Sequence, residues 1–254
     1  MVRVILRGCS GRMGRVISGL LAEDREARLV AGVDLVDDGH NPYPVYRNVR
    51  ECDVEADCLI DFSSAADWDD MLDYCVEKKL PCVLCTTGLS DAQLEKIEKA
   101  SESIAVLRSA NMSMGINLLL KLLKNAASVL APAGFDMEVV ERHHNQKLDA
   151  PSGTALALAD SLNEELGNAY TYVYDRSSRR EKRPEKEIGI SAVRGGSIVG
   201  EHEVIFAGVD EVITFSHTAY SRAVFGKGAV QAAKYLAGKP AGKYDMGNVV
   251  DSVL

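Results

Sequence analysis

The chain has 254 residues, 46% of them hydrophobic and 26% charged, with 29 Lys plus Arg against 37 Asp plus Glu and a formal charge of −8. This length buries one large core or two modest ones, and two domains are expected. The acidic balance and 6% aromatic content argue against a nucleic-acid binder, and no apolar run reaches the roughly 18 residues of a membrane span.

Met1 to Gly8 has neither the apolar stretch nor the cleavage site of a secretory signal, so a cytoplasmic location is expected. Val2 to Leu6 reads as a short apolar strand. It runs into Gly8-Cys-Ser-Gly11-Arg-Met-Gly14, after which Met13, Val16, Ile17, Leu20 and Leu21 recur with the spacing of one helix face. Leu29 to Asp34 is a second strand ending in an acid. Gly14 and Asp34 lie 20 residues apart, the interval at which a Rossmann unit places the carboxylate for the adenosine ribose. The glycine spacing departs from G-x-G-x-x-G by putting Cys9 at the first glycine. The order strand, glycine turn, helix, strand, acid nevertheless lets helix amides face a pyrophosphate while Gly11 permits close backbone approach.

The alternation continues with strands over Asp57 to Phe62, Leu80 to Cys85 and Ile104 to Leu107, and with a helix face at Trp68, Met71, Leu72, Cys75 and Val76. Ser90-x-x-Gln93 reads as a capping box. Repeated β-α-β predicts an α/β fold, a doubly wound, Rossmann-like parallel sheet, whose ligands collect outside the strand carboxyl ends. Gly8 to Gly14, Asp34, Phe62-Ser63-Ser64, Thr86-Thr87-Gly88 and Ala110-Asn111-Met112 all fall on that edge. The six cysteines, all in the first third of the chain, suit a reducing compartment. Cys82-x-x-Cys85 matches a redox or zinc half-site in spacing, but positions three apart on a strand face opposite sides, so packing is the expected role.

In the second half, Phe135 to Arg142 reads as a half-buried strand, followed by Glu141-Arg-His-His144-Asn-Gln-Lys147-Leu-Asp-Ala-Pro151-Ser-Gly-Thr154. Two imidazoles, an ammonium and a helix start lie close together here. Pro151 suits a first helical turn, Ser152, Gly153 and Thr154 offer amides at the positive end of the helix dipole, and Lys147 adds a full charge. A histidine exchanges protons near neutral pH. An anion site joined to a proton donor reads as an active site. A metal site built from His143, His144, His202, His217 and Glu201 is the competing reading. No pair has helical i, i+4 spacing and Lys147 would repel a dication, so no metal is expected. The run Arg176 to Lys186 holds six basic and two acidic residues and is expected to be a mobile, solvated loop. Ile188 to Val193, His202 to Phe206 and Val212 to Ser216 suggest strands of a mostly antiparallel sheet, making the second domain α+β. A closing helix ends at Gly238.

Gly8-x-x-Gly11-Arg-Met-Gly14, Asp61-Phe-Ser, Thr86-Thr-Gly88, Ala110-Asn-Met-Ser-x-Gly115-x-Asn117, Glu141-x-His-His-x-x-Lys147-x-Asp-Ala-Pro-Ser-Gly-Thr-Ala155 and Gly200-Glu-His together resemble the 4-hydroxy-tetrahydrodipicolinate (dihydrodipicolinate) reductase family over nearly the whole chain. The resemblance implies an NAD(P)H-dependent reduction in diaminopimelate and lysine biosynthesis, acting on a small cyclic dicarboxylate, by a homotetramer associated through the sheets of the substrate domain. It implies a dinucleotide-binding domain over 1–110 with segment 222–254 packing back on it, and a substrate-binding and tetramerisation domain over 111–221. By the same resemblance Gly8, Cys9, Ser10, Gly11, Arg12, Met13, Asp34, Cys85, Thr86, Thr87, Ser109, Ala110, Asn111 and Met112 contact the coenzyme. His143 is then a proton donor or acceptor, Lys147 a proton donor, His144 a substrate contact, and Ser152, Gly153 and Thr154 the clasp on a substrate carboxylate.

Three departures stand out. Cys85 replaces a common Gly, Cys9 a common Ala, and Leu35 follows Asp34 where NADPH-using members carry an Arg. An acid without that cation favours NADH over NADPH on charge, with Arg7 and Arg12 nearby as counterweights. Another NAD-dependent dehydrogenase would share the first half but has no need of the His-His-Lys array. A non-enzymatic nucleotide sensor would bind NADH and show no turnover.

Overall fold

The computed structural model describes residues 1–37, 39, 41–65 and 67–253. In chain order the elements begin β1 (Val2–Arg7), α1 (Arg12–Glu23), β2 (Ala27–Val33), β3 (Val45–Tyr46), β4 (Cys58–Asp61), α2 (Trp68–Lys78), β5 (Cys82–Leu84), α3 (Asp91–Ser101) and β6 (Ala105–Arg108). They continue with α4 (Met114–Leu130), β7 (Asp136–His143), α5 (Gly153–Glu165), β8 (Thr171–Val173), β9 (Glu187–Arg194), β10 (Gly200–Ala207) and β11 (Val212–Ala219), and close with α6 (Ala223–Leu236), β12 (Gly242–Tyr244) and α7 (Met246–Asp251). Two compact units result, Met1–Met114 with Ala223–Leu254, and Gly115–Arg222.

The first unit holds a seven-stranded sheet in the order β12-β6-β5-β4-β1-β2-β3, with every pair parallel. The strand order reverses at β1 and β4, which leaves a crevice at their carboxyl ends. Period-two alternation sends side chains to two cores. Val4, Leu6, Cys58, Ile60 and Val83 pack with Ile17 and Leu21 of α1 and Ala229, Ala233 and Leu236 of α6. Ile5, Leu59, Cys82 and Leu84 pack with Met71, Leu72 and Cys75 of α2 and Ile97 of α3. Ile5, Leu6, Leu59 and Ile60 are each 0% exposed. At about 2 kcal/mol for each buried side chain, they fix the two strands whose ends carry the glycine turn. Cys82 packs in the second core and Cys85 against the first, and all six cysteines are free thiols. Ser90 and Gln93 cap α3 reciprocally, as their spacing predicts.

The second unit holds a five-stranded sheet in the order β11-β10-β7-β9-β8. The pairings of β11 with β10 and of β10 with β7 are antiparallel, whereas β7, β9 and β8 run parallel. Met137, Val139, Ile188, Ile190, Val204 and Phe206 bury one face against Leu123 of α4 and Leu158 and Leu162 of α5. On β7 this face continues with Glu141 and His143, so the apolar stripe turns polar at the strand's end. The strand begins and ends one residue later than the pattern Phe135 to Arg142 suggests. His143 is therefore its last inward residue, and His144 lies beyond it.

The basic run after β8 is an exposed loop, as expected, with three of its arginines paired to acids. Arg176 pairs with Glu138 and Glu187, Arg179 with Glu187, and Arg183 with Asp136 and Glu138. The run 176–186 is an irregular, largely exposed loop, and these side-chain ion pairs anchor it to β7 and β9. No helix among the described residues is long and apolar enough to cross a membrane.

Candidate active site

At the carboxyl end of β1 the chain turns through Gly8, whose φ of +83° suits glycine. A Cβ there would lie 2.7 Å from the Phe62 carbonyl oxygen, and one on Gly14 would lie 2.1 Å from the Gly8 carbonyl oxygen. The turn is therefore packed backbone on backbone against both the β4 loop and the first turn of α1. Gly11 is the N-cap of α1, and no side chain caps that end. The Asp34 carboxylate accepts from the Ser10 amide at 3.0 Å, which ties the end of β2 to the turn. Arg7, Gly8, Gly11, Asp34, Arg47 and Ser63 are among the residues bounding a cavity of about 340 Å³. A side-chain-free helix start, a turn that only glycine fits and a carboxylate beside it suit the pyrophosphate and ribose of a dinucleotide.

The expected coenzyme residues do not all present side chains. Cys9 is 1% exposed and Met112 is 5% exposed, both packed in the first core, so each offers its backbone alone. The Thr86 hydroxyl donates to Asp61 at 2.5 Å, whereas Thr87 is exposed. Ser10, Met13, Cys85, Ser109 and Asn111 are half-buried, and Gly11, Arg12 and Ala110 are exposed. Arg7, a counterweight to NADH on sequence grounds, turns inward to the fully buried Asp61 at 3.0 Å and also reaches the Ser63 hydroxyl. Arg47, which no motif flagged, lines the same cavity as Asp34.

In the second unit the polar cluster assembles around Glu141, which is 0% exposed. Its Oε2 meets His143 Nδ1 at 2.5 Å and Arg194 Nη1 at 2.7 Å. Its Oε1 accepts from Arg194 Nη2 at 2.7 Å and from the Ser152 amide at 3.0 Å. Burial pushes the Glu141 carboxyl up, but the Arg194, His143 and Ser152 contacts together outweigh it and hold the group below the ordinary glutamate range. Glu141 is an anion, then, and its bond to Nδ1 leaves the His143 Nε2 edge for chemistry.

Helix α5 starts at Gly153, and Ser152 is its N-cap, accepting from the Ala155 amide. Pro151 thus precedes the helix rather than opening it. Ser152 is 2% exposed, its amide goes to Glu141 and its hydroxyl meets His202 Nε2 at 3.2 Å. Of the expected clasp, Gly153 and Thr154 stand at the helix start, while Ser152 braces it from behind. Lys147 Nζ pairs with Asp149 at 2.8 Å, and that ion pair holds the Asp149 carboxyl below its ordinary range. His202 packs edge-on to His143 with ring centroids 5.1 Å apart. Burial, then the neighbouring His143, lowers its pKa to about 4, so it is neutral at physiological pH. No group of three or more His, Cys, Asp or Glu among the described residues is placed to hold a metal. Sequence reasoning gave Arg194 no site role and named His202 only in the rejected metal reading, because their partners lie 53 and 50 residues away in the chain.

The glycine turn and cavity of one unit and the acid–base cluster of the other define a dinucleotide-dependent oxidoreductase. Family comparison narrows the class. Residues 2–112 match the family model for the dihydrodipicolinate reductase N-terminus and residues 115–250 that for its C-terminus. The chain belongs to the dihydrodipicolinate reductase family. It is 51% identical over 250 residues to the 4-hydroxy-tetrahydrodipicolinate reductase of Caldanaerobacter subterraneus subsp. tengcongensis, covering 98% of each chain. It is 47% identical to that of Clostridium tetani, covering 99% of this chain and 98% of the relative. In fold it matches a dipicolinate-bound dihydrodipicolinate reductase from Paenisporosarcina sp. TG-14, with a TM-score of 0.82 at 24% identity over 98% of this chain and 99% of that one.

Proposed function

We propose that this chain is an NAD(P)H-dependent reductase of 4-hydroxy-tetrahydrodipicolinate, in the diaminopimelate route to lysine. Near 50% identity over the full length to relatives of that name supports the activity. The dipicolinate held by the Paenisporosarcina protein supports a small cyclic dicarboxylate as the substrate class. The observation that carries the reading in this chain is Glu141, whose two oxygens hold His143 on one side and the start of α5 on the other.

When bound, the reduced nicotinamide would supply a hydride to the ring carbon whose 4-hydroxyl is lost as water, so that the hydride and one proton taken up balance the water and oxidised coenzyme released. The chain's own residues do the rest. Gly153 and Thr154 clasp one substrate carboxylate with helix-start amides, helped by the dipole. Lys147 and His144 bind the charge elsewhere on the ring, and Lys147 exchanges its Asp149 partner for the substrate. Electron density arriving at the ring nitrogen is quenched by a proton from Lys147 or His143. Net charge on the chain is −8, which repels a dianion, so these local cations and dipoles are what recruit it.

Coenzyme contacts fall to Gly8 to Met13, Asp34, Cys85 to Thr87 and Ser109 to Met112, with backbone alone from Cys9 and Met112. Asp34 favours NADH through the ribose hydroxyls. Arg47 on the same cavity wall is the cation available to a 2′-phosphate, so NADPH is accepted more weakly rather than refused. The sheet face opposite α4 and α5, with Thr214, Ser216, Thr218 and Val193 exposed, is where the chain assembles as a homotetramer.

A coupled absorbance assay tests the activity. Reduced-nicotinamide absorbance should fall when freshly generated heterocycle is added, faster with NADH than with NADPH. Unchanged absorbance with both coenzymes would overturn the assignment.

A further inference from the structure

Arg194 makes more contacts than one ion pair requires. Besides both oxygens of Glu141, its Nη2 donates to the Asp149 carbonyl at 2.6 Å and its Nη1 to the Val193 carbonyl at 2.8 Å. Glu141 extends this reach to His143 Nδ1 and to the Ser152 amide. One guanidinium and one carboxylate thus join the ends of β7 and β9, the loop of 144–151 and the start of α5. The Asp149 side chain in turn holds Lys147 Nζ. His143, the N-cap of α5 and Lys147 are each at most two contacts from the pair.

Both Nη atoms of Arg194 and both oxygens of Glu141 are engaged by groups of this chain. Glu141 is fully buried and the Arg194 side chain is 19% exposed. An ion pair in such a position is weak evidence for stability, because desolvating both charges offsets most of their attraction. Its geometric content is large, since the planar fork of an arginine fixes several acceptors at once and a lysine ammonium cannot reproduce it.

We infer that Arg194 and Glu141 are the positioning residues of this reductase: the pair sets the spacing between His143, the Lys147 loop and the carboxylate-binding start of α5. The inference rests on the functional reading above. It assigns to Arg194 a role in turnover and substrate binding that leaves coenzyme binding alone.

The experiment compares R194K, R194A and K147A in the full-length enzyme. Substrate KM and kcat are measured with the coupled assay, and coenzyme Kd by fluorescence titration. R194K keeps the charge beside Glu141, and circular dichroism checks that it is folded. It should lower kcat/KM by about 100-fold, the cost expected of small misplacements of catalytic groups, while the coenzyme Kd stays within about twofold. Millimolar guanidinium should restore part of the activity of R194A and none of that of K147A. R194K at wild-type kcat/KM, or R194A without guanidinium rescue although folded by circular dichroism, would overturn the positioning role. Wild-type activity in K147A would instead overturn the underlying assignment of the site, so the two failures are told apart.

Discussion

The two halves of the machinery are built from different materials. The coenzyme end of the first unit is backbone: a turn in which Gly8 and Gly14 approach other carbonyls too closely for any side chain, and a helix start that Gly11 leaves uncapped. The polar cluster of the second unit is side chain on side chain, centred on a carboxylate with no exposure and completed by Arg194 and His202 from the flanking strands β9 and β10. The contrast teaches how each site tolerates change. A backbone site fails by steric intrusion and loses binding, whereas a charged cluster fails by loss of one partner and loses chemistry.

Replacing Lys147 with Ala attacks the second kind of site and should have the largest effect. Loss of a proton-transferring, charge-binding group is expected to cost about 1,000-fold in kcat/KM, or about 4 kcal/mol. Coenzyme Kd should stay nearly constant. Equal losses in both quantities, measured side by side, would erase the distinction between the two sites.

His202 offers a pH test of the same cluster. Its pKa is about 4 in the folded protein against 6.5 when unperturbed. Between those values the unfolded chain binds the extra proton, so His202 leaves stability intact above about pH 6.5 and removes it as the pH falls toward 4. The loss is roughly 3 kcal/mol at most. Urea unfolding of H202N should therefore show a shallower decline over that window than the wild type. Parallel slopes would mean that the imidazole is not held neutral by burial.

Gly14→Ala probes the backbone site. The added methyl meets the Gly8 carbonyl at 2.1 Å, and overpacking of about 2 kcal/mol should weaken coenzyme binding by about 30-fold. Binding of an inert planar dicarboxylate, followed by calorimetry, should be unaffected. The smallest effect is expected from Asp34→Ala, which should raise the NADPH to NADH ratio of kcat/KM by about tenfold, on the order of 1.4 kcal/mol. A ratio that falls or stays fixed would remove Asp34 from coenzyme selection.

The same contrast explains what could be read before the fold was seen. The parallel sheet was legible because strand, glycine turn, helix and acid recur at fixed spacing, and because Cys82 and Cys85 obey strand alternation. His143, Lys147 and the Gly153–Thr154 helix start were legible because they are neighbours in the chain. Arg194 and Arg47 were not, and His202 entered only in the rejected metal reading, since sheet pairing and turn packing bring them in from positions far along the chain. The Arg176 to Lys186 run is the exposed loop its composition suggests, but composition does not register the acids on β7 and β9 that pair with three of its arginines.

The central claim is that this chain moves a hydride from reduced nicotinamide to a cyclic imine dicarboxylate held by the His143 and Lys147 cluster. Coenzyme carrying deuterium at the transferable position of the nicotinamide tests it directly, with the product heterocycle read by mass spectrometry. One deuterium bound to ring carbon is the predicted result for the wild type, with almost none formed in the same time by K147A. Product formed without deuterium from coenzyme deuterated at both C4 positions, or formed equally fast by K147A, would contradict the account.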